Sequence, residues 1–471
     1  MSLRQFLKMQ TIGNIVNIKG RLDPKHEIAA FVRKSIDMQG PILLFNAAGN
    51  YDVKNVIGGV YGSKTNIRRC LSPYYEDSYN TQGDLRAVQR FSKCNNVTAA
   101  DKLEDYITIV EDAPCQEVVK HEPNISEMLP ICTHNTKDAG PFITAGIQVV
   151  KWIDRKTHGL GIHRMHNFKP RSLGCLAPPN RRVGYPHYEA SKKGEGVKMA
   201  VLIGADPHVV MASQSKLAPD AEKYIVASNL KGKRLEMVKC ITSDILVPAD
   251  TEIVLECTSV PNSVHDDTPF AEYPGCYSFR SNSFVVRVDA ITMRKDAMYQ
   301  TILTGRLPQE DSNLCAIPYA AEVYEAAKKL APEITDISTF LGNGVFDTIL
   351  CIKKFSNAQV RNLMYTLIGN KYLKSVSIMD DDLKATEEDW RFAFNTRYQP
   401  NVDTIISDDA LGASLDPSSP LFQSTSKIAF DLTRPMTQNE GANRKIFFKH
   451  DRAKTMDIHI KDDWSYNKFE K

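Results

Sequence analysis

Three carboxylates stand close together in the stretch HDDTPFAEYPGCY, which begins at position 265. Asp266, Asp267 and Glu272 surround an apolar proline–phenylalanine pair, and the prolines and glycine predict a loop rather than a helix. One interpretation is a solvated acidic loop. The other is a general acid–base carboxylate held against Phe270 and Tyr273, because burial beside apolar groups raises a carboxyl pKa towards the range of a useful proton donor.

An arginine at the end of the β-type segment GLGIHR is the second candidate. Strand alternation predicts that Arg164 shares a face with Leu160 and Ile162, while His163 and the two glycines share the other face. An arginine on an apolar face either snorkels at a strand end or points into a polar pocket. In the second case its planar fork binds a carboxylate through two parallel hydrogen bonds. This segment alone leaves both interpretations open.

The composition is that of a globular protein without a dominant charge. The 471 residues are 42% hydrophobic and 24% charged, with a formal net charge of +3. The length predicts two or three domains, and the small net charge gives no reason to expect a nucleic-acid partner. Because no run of 18 apolar residues and no signal-peptide pattern occurs, we expect no membrane span and a cytoplasmic location.

The familiar catalytic and metal-binding signatures are missing. The ten cysteines form no C-x-x-C pair and no zinc-finger spacing, which predicts reduced and mostly buried thiols. There is also no P-loop, no G-x-G-x-x-G at a strand–helix junction, no H-E-x-x-H and no G-x-S-x-G. These short motifs therefore define no activity for the chain.

Hydrophobic periodicity divides the chain into three parts that would position the candidate residues. Residues 1–105 alternate between helical and strand patterns, as in HEIAAFVRKSID and GPILLFNAAG, and predict an α/β domain. Residues 106–305 contain short β-type runs such as AGIQVVKWI and FVVRVDAITMR, which predict a barrel or sandwich. Residues 306–471 return to α/β alternation, and their polar tail is expected to lie over a neighbouring surface. The predicted fold class is mixed α/β.

Eight motifs in a fixed order resemble one protein family. They are APCQEVV, DAGPFITAG, GIHRM, LEMVKC, VPADTEIVLE, DTPFAEYPGCYS, AITMRKDAMYQTILTGRLPQED and SIMDDDL. The chain resembles the UbiD family of reversible decarboxylases over nearly its whole length, and several motifs look closest to the branch acting on hydroxybenzoates such as gallate and protocatechuate. The resemblance implies an N-terminal α/β domain, a central split β-barrel that binds flavin, and a C-terminal α/β domain that helps to form a dimer.

The resemblance also implies an activity and its cofactors. The reaction would be the reversible, non-oxidative decarboxylation of an aromatic acid of the hydroxybenzoate type, or of an α,β-unsaturated acid. The cofactor would be prenylated FMN, supplied by a prenyl-flavin synthase, with Mn²⁺ and K⁺ at its phosphate. The substrate would be a small carboxylic acid, and the protein would form a homodimer or a homohexamer.

The family's catalytic arginine and proton-donating glutamate match Arg164 and Glu272. Asp267 stands where the family has a second glutamate, so the charge is kept on a side chain that is shorter by one methylene. The resemblance implies that Arg164 orients Glu272 and the substrate carboxylate. Glu272 would then return a proton to the carbon after carbon dioxide has left, while the cofactor takes up the electron density.

The resemblance draws the expected cofactor site from several segments of the chain. Its residues are Gly159, Leu160, Gly161, Ile162, His163, Arg164, Asn180, Arg181, Ser213, Gln214, Glu236 and Lys427. The segment at residues 159–164 would line the flavin, a turn at residues 213–214 would lie beside it, and the lysine would approach its phosphate.

The implied metal site matches only in part. Glu236 corresponds to the family's glutamate ligand, but Gly159 and Arg181 stand at the positions of its asparagine and histidine ligands. Glycine and arginine do not replace those ligands. Either His158, Asn180 or His163 takes their place in a shifted register, or the arginine neutralises the phosphate directly.

Two other functions stay open. The altered metal ligands and Asp267 fit a non-catalytic subunit of a multi-subunit aromatic carboxylase of the phenylphosphate carboxylase type. Such a subunit, however, has little need for both Arg164 and Glu272. The other alternative is a different unsaturated acid, such as an isoprenoid precursor phosphate, which a phosphate-binding cluster in the substrate pocket would favour.

Overall fold

The computed structural model of the protein describes most of the chain. The described residues are 1–10, 13–71, 84–152, 157–278, 281–339, 345–419 and 424–434. The polar tail expected to cover a neighbouring surface lies outside them. The predicted mixture of helices and strands is confirmed. Among the described residues, no helix has the length and apolar content needed to cross a bilayer.

The N-terminal part is built around a four-stranded sheet. Its elements are α1 (Leu3–Lys8), β1 (Ile15–Leu22), α2 (Glu27–Asp37), β2 (Ile42–Ala47), β3 (Asn55–Gly58), α3 (Lys64–Leu71) and α4 (Leu85–Cys94). The helix and strand predicted from HEIAAFVRKSID and GPILLFNAAG are confirmed as α2 and β2. The sheet is completed by a strand at Met298–Gln300, which pairs in parallel with β3, so this sheet draws on the segment assigned to the central domain.

The central part contains most of the strands. Its elements are β4 (Ile107–Ile109), β5 (Val118–His121), α5 (Ile125–Met128), β6 (Phe142–Ile143), β7 (Ile147–Lys151), β8 (His158–Ile162), β9 (Met165–Lys169), β10 (Ser172–Cys175), α6 (Gly184–Ser191), β11 (Lys198–Ile203), α7 (Pro207–Ser213), α8 (Lys223–Lys231), β12 (Leu235–Lys239), β13 (Leu246–Pro248), β14 (Ile253–His265), β15 (Phe270–Ala271), β16 (Tyr277–Ser278), β17 (Ser283–Met293) and β18 (Met298–Gln300). Nine of these strands form one antiparallel sheet in the order β6-β9-β10-β17-β14-β11-β7-β8, with β5 on β17. The predicted β-rich character of this part is confirmed.

Two local features of this sheet place the candidate catalytic residues. The β-type segment GLGIHR was expected to extend to Arg164, but β8 ends at Ile162 and β9 begins only at Met165. Arg164 therefore lies at a break in the strand, where alternation no longer decides which way a side chain points. The long strand β14 ends at His265, and the acidic stretch that follows returns as the hairpin β15–β16.

The C-terminal part is a second α/β unit. Its elements are α9 (Glu310–Ala327), β19 (Ile334–Thr339), β20 (Asp347–Ile352), α10 (Asn357–Ile368), β21 (Ser375–Asp380), α11 (Glu387–Thr396), β22 (Thr404–Leu411) and β23 (Ser424–Asp431). The sheet order is β19-β20-β21-β23-β22, with parallel pairing across the middle strands. One cluster of buried apolar side chains, including Ile42, Leu202 and Ile378, joins all three parts. The ten cysteines are unpaired and seven of them are buried, as predicted.

Candidate active site

A cavity of about 620 Å³ lies where the central strands meet the C-terminal part. Its wall is formed by the end of β8, the hairpin β15–β16, helix α9 and the loops that follow α10 and β22. Small-molecule sites typically occupy roughly 300–1,000 Å³, so this volume suits a cofactor together with a small substrate.

Arg164 joins the two candidate acids. Its Nε donates to Asp267 Oδ2 at 2.9 Å and its Nη2 donates to Asp267 Oδ1 at 2.7 Å, which is the two-pronged geometry that favours arginine over lysine. The remaining nitrogen, Nη1, donates to Glu272 Oε1. The guanidinium carbon lies 4.8 Å from the ring centroid of Phe270. The pocket interpretation of this arginine is the one that the geometry supports.

Asp267 lies behind the guanidinium and does not line the cavity. Its side chain is fully buried and also accepts a hydrogen bond from Ser281 Oγ. Burial alone would raise the carboxyl pKa, but the hydrogen bonds and positive charge of Arg164 outweigh it and hold the pKa of Asp267 below its ordinary value. This acid therefore stays ionised and fixes the orientation of the arginine.

Glu272 does line the cavity. Burial raises the pKa of its carboxyl group above the ordinary value, although Arg164 opposes the shift. The side chain is held by a tight hairpin in which Glu272 N donates to Cys276 O at 2.8 Å and Gly275 N donates to Glu272 O at 2.9 Å. Gly275 has a φ of +84°, a backbone conformation that favours glycine. A carboxyl group with a raised pKa keeps its proton to a higher pH than an exposed glutamate does, so Glu272 is suited to hold a proton and release it into the cavity.

The sequence reasoning missed two further carboxyl groups in the cavity wall, those of Asp311 and Glu322. Asp311 lies in the first turn of α9 and lines the cavity with Glu272. Burial, reinforced by the neighbouring charge of Glu272, raises the pKa of Asp311 well above its ordinary value. Asp266, in contrast, is exposed and accepts hydrogen bonds from the backbone and hydroxyl of Thr268. The acidic loop thus contains one solvated acid, Asp266, and two acids that bind Arg164, namely Asp267 and Glu272.

Besides Arg164, which Asp267 neutralises, five of the side chains that line the cavity are cationic, and we call these five the cationic group. They are Arg181, Arg182, Lys216, Lys223 and Lys371. The Lys216 ammonium lies 4.7 Å and 4.9 Å from the ring centroids of Tyr319 and Tyr372. Arg181 Nη1 is 3.2 Å from the Tyr372 hydroxyl. Burial opposes ionisation of that phenol, but the nearby lysines and Arg181 outweigh it and lower the pKa of Tyr372.

Most of the residues expected at the cofactor do reach the cavity. The cavity is lined by Leu160, Gly161, Ile162, His163, Arg164, Asn180, Arg181, Ser213 and Gln214. Burial, together with the charge of Arg181, lowers the pKa of His163 to about 3, so its imidazole is neutral. These residues come from β8, the loop after β10 and the end of α7, which the nine-stranded sheet brings together.

Two expected cofactor residues lie in the wall around the cavity rather than on its surface. Gly159 packs so closely that a Cβ atom there would lie 2.5 Å from Arg182 O and 2.8 Å from Trp152 Nε1. Lys427 is buried on β23, and its Nζ donates to Asn370 O at 2.7 Å. That bond ties down the loop carrying Lys371 and Tyr372, so the lysine supports the cavity indirectly.

Glu236 is not positioned as a metal ligand. It lies exposed on β12 and does not line the cavity, because strand alternation turns it away from the buried face that its neighbours Leu235 and Met237 occupy. A buried glutamate, Glu222, lies at the start of α8 instead. It accepts hydrogen bonds from the backbone N–H of His158 at 2.8 Å and from the His158 ring at 3.0 Å.

The residues present do not fit the implied metal ion. Within the described part of the chain, no group of three or more histidine, cysteine, aspartate or glutamate side chains could hold one. His158 and Glu222 bond to each other and do not line the cavity. The carboxyl groups that line the cavity, Glu272, Asp311 and Glu322, share its wall with lysine and arginine side chains, which repel a cation.

The residues that the sequence reasoning missed come from segments far apart in the chain. Lys216, Asp311 and Tyr372 meet only because the central and C-terminal parts pack together. A signal for Lys223 was present, however. It opens the stretch KYIVASNLK, an almost entirely buried helix, and a lysine among apolar neighbours is an uncommon core residue.

Comparison with known proteins agrees with this geometry. Three models of the 3-octaprenyl-4-hydroxybenzoate carboxy-lyase family match the chain in order. The N-terminal domain model matches residues 7–85, the Rift-related domain residues 108–307 and the C-terminal domain residues 312–432. The fold and the site thus define a carboxy-lyase. The chain belongs to the UbiD family, and its three-domain architecture is the one that the sequence resemblance implied.

Individual relatives cover almost the whole chain. It is 26% identical to the anhydromevalonate phosphate decarboxylase of Methanosarcina mazei over 95% of this chain and 99% of that protein. It is 28% identical to the UbiD-class enzyme HmfF from Pelotomaculum thermopropionicum, solved in complex with FMN, with a TM-score of 0.82 over 95% and 98% of the two chains. The vanillic acid decarboxylase of Sedimentibacter hydroxybenzoicus shares the fold, with a TM-score of 0.82 at 23% identity over 95% of each chain.

Proposed function

We propose that this carboxy-lyase uses prenylated FMN to decarboxylate, reversibly, an acid whose carboxyl group is attached to an unsaturated carbon. The observation that carries the proposal is the arrangement of Arg164, Asp267 and Glu272 at a cavity of about 620 Å³. Solved relatives contain FMN or prenylated FMN, which supports a flavin here. When bound, the cofactor supplies an electron sink for the pair that remains as carbon dioxide leaves.

The residues around the cavity suit such a cofactor. The segment at residues 160–164, Asn180 and the turn at residues 213–214 would hold the flavin, and the cationic group would balance its phosphate. Apolar side chains such as Leu314 and Ile302 also line the cavity and would exclude water from it. Low polarity strengthens every charge interaction in the site.

The protein's own part in the reaction is to orient the acid and to move one proton. Asp267 stays ionised and holds two nitrogens of Arg164, so the third nitrogen is fixed towards Glu272 and the cavity. Arg164 would orient the substrate carboxylate beside Glu272. After the carbon–carbon bond breaks, the Glu272 carboxyl donates its proton to the carbon that lost carbon dioxide. In the carboxylation direction, the Glu272 carboxylate removes that proton.

The charge of the cavity favours a phosphorylated, α,β-unsaturated acid as the substrate. The cationic group has five side chains, whereas a phosphate monoester carries about −1.5 to −2 at neutral pH. The carboxyl groups in the same wall, Glu272, Asp311 and Glu322, have raised pKa values and offset these charges only in part. A flavin phosphate alone would therefore leave positive charge uncompensated, and a second phosphate would balance it. The similarity to an anhydromevalonate phosphate decarboxylase supports the same class of acid.

A hydroxybenzoate-type acid is the second candidate. The aromatic side chains Phe270, Tyr273 and Phe346 line the cavity, and the rings of the last two lie 6.1 Å apart between centroids. Such walls stack well against an aromatic ring. This acid needs no second phosphate, however, so it leaves the excess of cations without a role.

The test is production of the protein together with a prenyl-flavin synthase, followed by assay of the isolated chain. We expect the absorbance spectrum of bound prenylated flavin and carbon dioxide release from a phosphorylated unsaturated acid, with slower or no release from its dephosphorylated form. Faster release from hydroxybenzoates would select the second candidate. Absence of bound flavin and of activity on both classes would reject the proposal and favour the non-catalytic subunit.

The proposed setting of the enzyme follows from the family. We propose a homodimer or homohexamer, a prenyl-flavin synthase as the supplier of cofactor, and the cytoplasm as the location. An evolved dimeric form of HmfF is among the similar solved structures, which supports self-association. Light scattering of the full-length protein would give the oligomeric state directly.

A further inference from the structure

The charges around the cavity point to an unusual way of binding a phosphate. Divalent metals in proteins are held mostly by acidic, histidine or cysteine side chains, with amide or carbonyl oxygens and water completing the set. In the part of the chain that the structure describes, no cluster of three such acidic, histidine or cysteine side chains exists, and Gly159 and Arg181 stand at the positions of the other two family ligands. The cavity wall presents several lysine and arginine side chains.

Lys223 is the most constrained of these cations. Its residue is only 6% exposed, and its Nζ donates to Leu160 O at 2.9 Å and to Ser213 O at 2.5 Å. An ammonium has three N–H groups, and these two bonds use two of them. Because the side chain also lines the cavity, the third N–H is available to a bound acceptor. The two carbonyls come from the segments that the sequence predicted to contact the flavin.

Arg181 stands in the same wall. Among the described residues its guanidinium makes one hydrogen bond, from Nη1 to the Tyr372 hydroxyl at 3.2 Å, and it forms no ion pair there. Lys216 contacts the ring of the same tyrosine. The guanidinium fork suits two phosphate oxygens, whereas an ammonium acts as a point charge.

The closeness of these charges needs an explanation. Burial lowers the pKa of Lys223 well below its ordinary value, and the charges of Lys216, Arg182 and Arg181 lower it further. Like charges in a poorly solvated wall repel one another, and the cost falls only when an anion lies among them. A bound dianion would therefore favour the charged form of the lysine.

The pair formed by His158 and Glu222 does not provide a competing metal site. The His158 Nε2 atom is buried and has no hydrogen-bond partner among the described residues, but the ring's other nitrogen is 3.0 Å from Glu222. Neither residue lines the cavity. Two ligands facing each other in the wall leave a cation incompletely coordinated.

We propose that Lys223 and Arg181, supported by Lys216, bind the phosphate of the flavin directly and take the place of the divalent metal ion that the family resemblance implies. The inference rests on the proposed flavin cofactor. The ligand class is a phosphate monoester, and its binding requires no metal.

Binding of ordinary FMN and of riboflavin to the flavin-free protein separates the two proposals. Flavin fluorescence is titrated in three buffers: without additive, with EDTA, and with Mn²⁺. We expect the FMN Kd to change less than twofold between buffers, and riboflavin to bind at least tenfold more weakly than FMN. A tenfold tightening by Mn²⁺, or about one Mn²⁺ per chain in the purified holoprotein, would overturn the inference while leaving the flavin cofactor intact.

Two variants test the named residues. Lys223→Met, which keeps the volume, and Arg181→Gln are each expected to weaken FMN at least tenfold and to leave riboflavin binding within twofold. Lys192→Gln serves as the matched control, because Lys192 is exposed just after the end of α6 and forms an ion pair only with Glu189 in the described structure. Should Lys223→Met fail to fold, Arg181→Gln decides the question. Equal weakening of both flavins would mean a structural role and would overturn the inference, and binding of neither flavin by the native protein would reject the cofactor itself.

Discussion

Arg164 holds Asp267 through two parallel hydrogen bonds, and only its third nitrogen is left for Glu272. The two acids consequently experience one cation differently. Asp267 is fully buried, and its pKa lies below the ordinary value, whereas Glu272 faces the cavity and its pKa lies above it. When two carboxyl groups have pKa values that are shifted in opposite directions, the one with the lowered pKa stays ionised and can anchor a cation. The one with the raised pKa can carry the proton that is transferred.

Replacement of the proposed proton donor is the first prediction. Glu272→Gln keeps the size and the hydrogen bond to Arg164 but carries no transferable proton. We expect kcat for carbon dioxide release to fall by about 10²–10⁴-fold with KM nearly unchanged. Asp266→Asn is the control, because Asp266 is exposed in the same loop and should leave kcat within twofold. Retention of more than a tenth of the native kcat in Glu272→Gln would assign the proton to another group, and Asp311 in the same cavity wall would be the candidate to test.

The pH profile provides the second prediction. Because Glu272 must be protonated to act, decarboxylation should fall as the pH rises through its pKa, which lies above the ordinary glutamate value. The charge of Asp267 helps to keep that pKa high. In Asp267→Asn, Arg164 is no longer neutralised and favours the Glu272 carboxylate, so the descending limb should move to lower pH. A kcat profile of both proteins measures the shift, and a limb that stays in place would contradict the coupling.

A packing prediction concerns the wall behind the cofactor segment. In Gly159→Ala the new methyl group would lie 2.5 Å from Arg182 O and would disturb the hydrogen bond that Trp152 Nε1 makes to that oxygen at 2.8 Å. Overpacking of this kind costs about 1–3 kcal/mol. We expect a lower free energy of unfolding in urea and weaker FMN binding. Gly369→Ala is the matched control, because its Cβ would meet only Thr366 O at 3.5 Å, an ordinary contact.

The sequence predicted the fold because much of that information is local, and it singled out Arg164 and Glu272, which the structure places in contact. The motifs around these two residues are short and contiguous, and the βα periodicity of HEIAAFVRKSID and GPILLFNAAG needs no tertiary contact to be recognised. Strand alternation does not extend beyond Ile162, since β8 ends there and β9 begins only at Met165. Glu236 was assigned by its motif, but the pairing of β12 turns it outwards.

The cationic group was not predictable in the same way. Lys216 and Lys371 are separated by more than a hundred residues and meet only through the packing of two parts of the protein. A lysine on the open surface and a lysine that lines a cavity look alike in the sequence. Only the tertiary packing around the side chain distinguishes them. The same holds for Lys427, whose buried bond to Asn370 O supports the loop of Tyr372. The charge of the site therefore depends on contacts between residues that are far apart in the sequence.

The last prediction concerns substrate choice at the edge of the cavity. Lys371 is, with Lys216, one of the two exposed members of the cationic group, and its ammonium lies 4.9 Å from the ring centroid of Tyr372. An exposed rim cation can meet a substrate phosphate without supporting the fold, so Lys371→Met should raise KM for a phosphorylated unsaturated acid about tenfold, equivalent to about 1.4 kcal/mol. For the dephosphorylated acid, KM and kcat should stay within twofold, and so should FMN binding. Steady-state kinetics on the two acids measure the difference. An equal rise in KM for both acids would show that Lys371 does not recognise the phosphate, and the cationic group would then serve the cofactor alone.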